Sequence, residues 1–364
     1  GHLSPECARR GHQDFEGIVE CTADQVAEFT EVWEASSRLS PSGRRIVANK
    51  AGAPVDFNSA RISLQDLCSK PSGKYASMLV CSTDKLTTIK ADLASAINYL
   101  SADSSTEVRN GGKYRDRTTP LGDIVNSAPV VSSPLDDFGY RQLGGTLAKS
   151  YTDYLAAKAK SRRYMVYVGA NDGMLHAFDA ASGKEEFAFI PSGVKNSLNV
   201  LTSRYGAGGA PHRYFVDGTP VVSDVYFGNA WHRVLVGSLG AGGRQVFALD
   251  VTDPTSPRLL WEFGVEQDER MGYSMPAPVV ARLNDAGRSK GRWVVFLSNG
   301  YQASNSASQR HSARFSPASD TRTTGAVVGL AMRCAHSVSA WRSTRSANAA
   351  RSSRAICTTA PSSS

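Results

Sequence analysis

The sequence predicts a mainly β protein, a partial β-propeller preceded by a short mixed α/β segment. Two recurrences carry this reading. A proline followed by two valines returns three times, in "NSAPVV" (126–131), "DGTPVV" (217–222) and "MPAPVV" (275–280). A strand closed by a glycine turn also returns three times, as "VYVGANDG" (166–173), "VLVGSLGAGG" (234–243) and "VVFLSNG" (294–300). The recurring prolines stand 91 and 58 residues apart. Units of that size with about four short strands are propeller blades, each of which buries little alone and needs a neighbour.

Residues 1–120 read as a mixed segment leading into the propeller. Within it, Leu86, Ile89, Leu93, Ile97 and Leu100 fall at three- and four-residue steps, the apolar face of a helix over 83–103. "NGG" at 110–112 and Pro120 break that pattern. From Leu121 the texture turns to β runs between turns. "MLHAFDAASG" (174–183) and "RQVFALDVTDP" (244–254) supply matching second strands, each with an apolar–Asp pair before the turn. The prolines sit at strand starts, where a missing N–H is tolerated. Asn171-Asp172-Gly173 is expected to supply the positive φ angles of a tight hairpin. "SYTDYLAAKAK" (150–160) reads as a helical insertion that lengthens the first interval, and "GNAWHRVLVG" (228–237) as a hairpin.

The net charge of +8 invites a nucleic-acid reading, but it is not spread along the chain. Residues 302–364 hold eight Arg, no Lys and one acid, Asp320. The body of the protein is therefore nearly neutral, and no nucleic-acid partner is expected. No apolar run approaches the roughly 18 residues of a membrane span. The chain opens on Gly1, so it is expected to be a piece of a longer protein.

The motifs that would carry chemistry are weak. "GAGG" at 206–209 and 240–243 lacks both the spacing of a dinucleotide loop and the Lys-Ser/Thr of a phosphate loop. Asn171, Asp172 and Asp179, like Asp250 and Asp253, have the wrong spacing for a calcium loop and are better explained as turn residues. His176 is expected in a strand and His232 in a hairpin, with no metal-ligand pairing. None of the six cysteines forms a C-x-x-C. Cys68 and Cys81 flank a turn-containing segment that a disulfide could close; two free thiols fit equally well, and an extracytoplasmic setting favours the bridge. The "VYVGANDGMLHAFDAASGKE" repeat resembles that of quinone-dependent dehydrogenases, but the calcium-liganding acids and catalytic Asp of those enzymes are not found. No catalytic residue is expected.

Five stretches in order, "LGDIVNSAPVV" (121–131), "MVYVGANDGMLHAFDAASGKEEFAFIPS" (165–192), "YFVDGTPVVSDVYF" (214–227), "WHRVLVGSLGAGGRQVFALDVTDP" (231–254) and "LLWEFG" (259–264), point further. Together they resemble the C-terminal β-propeller of the type IV pilus biogenesis and tip-adhesin family (PilC/PilY). The resemblance implies an extracytoplasmic protein of the pilus tip, outer membrane or periplasm. It implies support of pilus extension against retraction, and surface attachment. The implied partners are pilins or minor pilins and a host-cell surface receptor. Some members carry an aspartate-rich calcium loop; no stretch here matches it, so no cofactor is carried over. The alternatives are a periplasmic propeller scaffold of outer-membrane assembly and, less favoured, a fragment of a quinone-dependent dehydrogenase.

The pattern stops near the end of 121–301. Residues 302–364 contain 15 Ser, 13 Ala and 8 Arg without a sustained strand or helix period. Such a tail is expected to be disordered, or to be the product of a reading frame that departs from the family near Ser308. Three blades fall short of the four to eight or so of closed propellers, so exposed strand edges and poor stability are expected.

Overall fold

The computed structural model describes residues 31–67, 93–203, 211–269, 271–283, 291–298 and 311–314. Its described strands form three sheets, and those between 130 and 314 read as three consecutive blades. The first blade contains β3 (Val130–Ser132), β4 (Met165–Gly169), β5 (Leu175–Asp179) and β6 (Glu185–Ile190). The second is β7 (Val221–Phe227), β8 (Ala230–Ser238), β9 (Gln245–Asp250) and β10 (Arg258–Gly264), each strand antiparallel to the next. The third is β11 (Val279–Arg282), β12 (Trp293–Leu297) and β13 (His311–Arg314). β3, β7 and β11 each begin immediately after the recurring proline, as the repeat predicts.

The first blade is larger than the repeat predicts. A hairpin from the N-terminal segment, β1 (Ile46–Lys50) and β2 (Ala53–Asp56), extends its outer edge, and β1 runs parallel to β6 with Ile46 opposite Ala188. Ala51 and Gly52, both at positive φ, turn the hairpin. Only part of the helix expected over 83–103 is described: α1 (Leu93–Leu100), which buries Ile97 and Leu100 as the spacing requires. The expected insertion is α2 (Gly145–Lys158). β13 lies inside the 302–364 tail, where no strand period is visible. Backbone hydrogen bonding to β12 makes this strand, and such pairing does not depend on side-chain alternation.

Alternation on each strand sends one set of side chains to each neighbour. Tyr167, Leu175 and Phe189 of the first blade share a core with Leu235, Phe247 and Leu249 of the second. The opposite face of the second blade, with Val234, Val236, Val246 and Ala248, packs with Trp293, Val295 and Leu297 of the third. α2 lies over this second junction: Tyr151 is fully buried, and the Trp231 indole N–H donates to Ser150 Oγ at 3.0 Å. At the first junction the Phe247 ring lies where a Cβ on Gly237 would sit (2.3 Å), and it meets Phe189 at 5.2 Å between centroids. Glycine is therefore required at position 237.

The remaining face of the first blade is covered by the N-terminal segment. Trp33 and Leu39, with Leu121, pack on Val166, Val168 and Phe178. Trp33 lies 5.9 Å from the Phe178 ring, and its indole donates to Ala180 O at 2.8 Å. Among the described residues no helix is long and apolar enough to cross a membrane.

Candidate functional site

Polar residues in or beside the strands converge in four places. The simplest convergence ties two copies of the same motif together. Asn126 of "NSAP" donates through its amide to Asp217 Oδ2 at 2.7 Å and through its backbone N–H to Asp217 Oδ1 at 3.1 Å. Asp217 is the equivalent residue of "DGTP". One residue pair further on, Ala128 N donates to Thr219 Oγ1 at 3.0 Å. The third copy has Met275 at the equivalent position, nearly half exposed, and this tie has no counterpart there.

"GANDG" forms a second convergence. Asn171 is buried; its amide donates to Asp123 Oδ2 at 3.0 Å, and its carbonyl accepts from Phe215 N at 3.0 Å. The expected positive φ at Asn171 and Asp172 is not found; within this turn only Gly173 adopts it, at +95°. The two polar side chains are instead turned inward, because each satisfies buried donors that another conformation would leave unpaired. Asp172 accepts from Gly122 N at 3.2 Å and from His176 Nε2 at 3.1 Å. His176 is wholly buried, and its Nδ1 meets Glu185 Oε1 at 2.7 Å. Glu185 is in turn gripped by Arg44 of the N-terminal segment, whose Nε and Nη2 donate to Oε2 and Oε1 at 2.6 and 2.9 Å.

This chain of four charges sets its own protonation. Burial alone would lower the His176 pKa, but Asp172 and Glu185 outweigh it and push it up to about 9. Burial opposes ionisation of Glu185, yet His176 and Arg44 hold it down to about 2. Asp172 is likewise held below the ordinary carboxylate range against its burial, chiefly by the His176 charge.

A third convergence lies beneath α2. Asp224 of β7, with its side chain fully buried, accepts from Tyr151 Oη (3.0 Å), Tyr154 Oη (3.1 Å) and Lys158 Nζ (2.5 Å), and Arg233 Nε stands 3.4 Å away. A fourth joins the β1 hairpin to the second blade: Glu262 of β10 accepts from Asn49 Nδ2 (2.6 Å), Ser192 N (3.0 Å) and the Ser192 hydroxyl. Desolvation raises the Glu262 pKa.

The expected turn roles of Asp179 and Asp253 are seen directly. Asp179 accepts from Ala181 N, Ser182 N and the Ser182 hydroxyl, and Asp253 from Thr255 N and its hydroxyl. Asp250 does more than turn the chain, since it also binds His232 (2.9 Å) and Arg258 (2.7 Å). "GAGG" at 240–243 is a short helical turn between β8 and β9; the copy at 206–209 lies outside the described residues. So do Cys68 and Cys81. Among the described residues no group of three or more His, Cys, Asp or Glu is placed to hold a metal ion.

What the geometry defines is a partial β-propeller whose first two blades are tied through equivalent polar positions, Asn126 and Asp217. The chain belongs to the PilY1 β-propeller family, whose model matches residues 121–328. That match runs past Ser308, into the beginning of the tail. The chain is similar to the type IV pilus biogenesis factor PilY1 of Pseudomonas aeruginosa strain PAK, 48% identical over 209 residues, 57% of this chain and 17% of the relative. It is also similar to a homologue of that factor in Xylella fastidiosa, 42% identical over 216 residues, 59% of this chain and 17% of the relative. The chain thus spans about a sixth of these relatives' length. A crystal structure of the P. aeruginosa PilY1 C-terminal domain aligns with 43% identity over 50% of this chain and 32% of that one, at a TM-score of 0.36.

Proposed function

We propose that this chain is part of a type IV pilus assembly and adhesion factor that supports pilus extension against retraction, and that it works by binding rather than by catalysis. Its partners are pilins or minor pilins, with a host-cell surface receptor as a second target, and its place is outside the cytoplasm at the pilus tip or outer membrane. Family membership supports the pilus role. The observation that favours binding is the Asn126–Asp217 tie: these two polar residues are spent on joining the first blade to the second, as a rigid platform requires.

The test is binding of the purified chain to immobilised pilins and, separately, to components of the outer-membrane barrel-assembly machinery. Saturable binding to pilins alone is expected. Binding to the barrel-assembly components without pilin binding overturns the reading in favour of an outer-membrane scaffold. Reduction of an electron-accepting dye with added pyrroloquinoline quinone and calcium overturns its non-catalytic part.

A further inference from the structure

A cavity of about 300 Å³ lies where the first blade, the second blade and the end of α2 meet. Its charged lining is of one sign: Lys158 from α2, Arg163 just before β4, and Arg233 from β8, with no acid among the lining residues. Ser132, Tyr154, Ser161, Tyr167 and Thr252 add hydroxyl-bearing side chains to its lining. Cavities of roughly 300–1,000 Å³ bind small molecules, and this one is at the small end.

Two donors in this wall lack acceptors. Arg233 is held firmly: Nη1 donates to Ser132 Oγ (2.6 Å) and Ser133 O (2.7 Å), and Nε faces Asp224. Its other terminal nitrogen, Nη2, is buried and has no partner among the described residues. Tyr167 is 1% exposed, and no hydrogen bond to its hydroxyl is found among the described residues. Burial raises the Tyr167 pKa, and the Arg233 charge acts against that rise, so the two groups sense one another. Arg163 makes only long contacts, 3.7 Å to Asp179 and 3.6 Å to Glu186, with its side chain 38% exposed at the rim. Lys158 is committed to Asp224 and Asp136 O, and the Asp224 carboxylate offsets its charge.

A buried donor left without an acceptor, as Arg233 Nη2 is, is unfavourable by roughly 1–3 kcal/mol, and native folds keep few of them. A guanidinium and a phenol, with Arg163 at the rim, match an acceptor-only group carrying negative charge. We propose that this cavity binds the carboxylate or phosphate group of a small organic anion, with Arg233 and Tyr167 as donors and Arg163 at the entrance. The cavity is walled by both blades and by α2, so such a ligand would also strengthen that junction, since whatever binds only the folded state stabilises it.

The experiment follows thermal unfolding of the full chain at fixed ionic strength, with inorganic phosphate or succinate against chloride, in wild type, Tyr167→Phe and Arg163→Gln. The wild type should gain melting temperature with at least one of the two anions. Without anion, Tyr167→Phe should be as stable as wild type or more so, because it deletes an unpaired hydroxyl and keeps the ring. With the anion, Tyr167→Phe should bind roughly tenfold more weakly by calorimetry. Arg163→Gln, at the exposed rim, should weaken binding without loss of the fold. No shift and no calorimetric binding with either anion overturns the proposal. So does binding that is unchanged in both variants.

Discussion

Arg44 meets Glu185 with both arms of its guanidinium, and the two side chains are 5% and 3% exposed. A residue from the N-terminal segment thereby neutralises a carboxylate buried in the first blade. Removing one partner of a buried pair leaves the other charged without compensation. Arg44→Met is expected to destabilise the chain by about 3 kcal/mol, read as a lower urea midpoint. A midpoint within error of wild type would show that His176 alone suffices for Glu185.

His176 makes stability depend on pH on the alkaline side. In the folded state it stays charged to about pH 9, whereas the ordinary value is 6.5. Its contribution is therefore complete below pH 6.5 and falls as pH rises toward 9. Glu185 acts in the opposite direction: its contribution is complete above its ordinary 4.5 and is lost as pH falls toward 2. Urea midpoints from pH 6 to 10 should decline in wild type. In His176→Gln the part of that decline centred between 6.5 and 9 should be absent; an unchanged slope would assign it to other groups.

Gly183 holds φ at +71°, and a Cβ there would stand 2.6 Å from the Trp33 ring. Gly183→Ala should destabilise by about 2 kcal/mol, from backbone strain and displacement of the indole. Trp33→Ala should lose a similar amount, roughly 2 kcal/mol, since the ring is only partly buried. The double variant should lose less than the sum, because the clash disappears with the indole. Strict additivity would mean that Trp33 does not sit on Gly183 in solution.

Asp224 is the shared acceptor for two tyrosines and a lysine. Asp224→Ala should cost about 3 kcal/mol or more by stranding Lys158 and its neighbour Arg233. Adding Lys158→Met should recover part of that loss in the same unfolding measurement. If the second substitution deepens the loss, packing of the lysine stem outweighs its charge.

Much of the blade structure is legible in the chain, because strand alternation and proline position are local signals. β3, β7 and β11 start where the repeat places them, and α2 lies where the insertion is read. The β1 hairpin is not legible, since its partner strand is distant and "IVANK" carries no alternation that names it. The polar ties are not legible: Asn126 and Asp217 occupy equivalent repeat positions, but only the fold brings them within 2.7 Å. His176 carries no signal either. Its partners come from a turn, a following strand and the N-terminal segment, and only the fold assembles them.

The parallel pairing of β1 with β6 has a consequence in time. Ile46 is synthesised long before Ala188, and a parallel partner cannot be reached by a simple hairpin turn. The first blade is therefore not bordered by its hairpin until β6 (Glu185–Ile190) has been made. Until β6 emerges, the edge of the β1–β2 hairpin is an unclaimed template for any extended strand nearby.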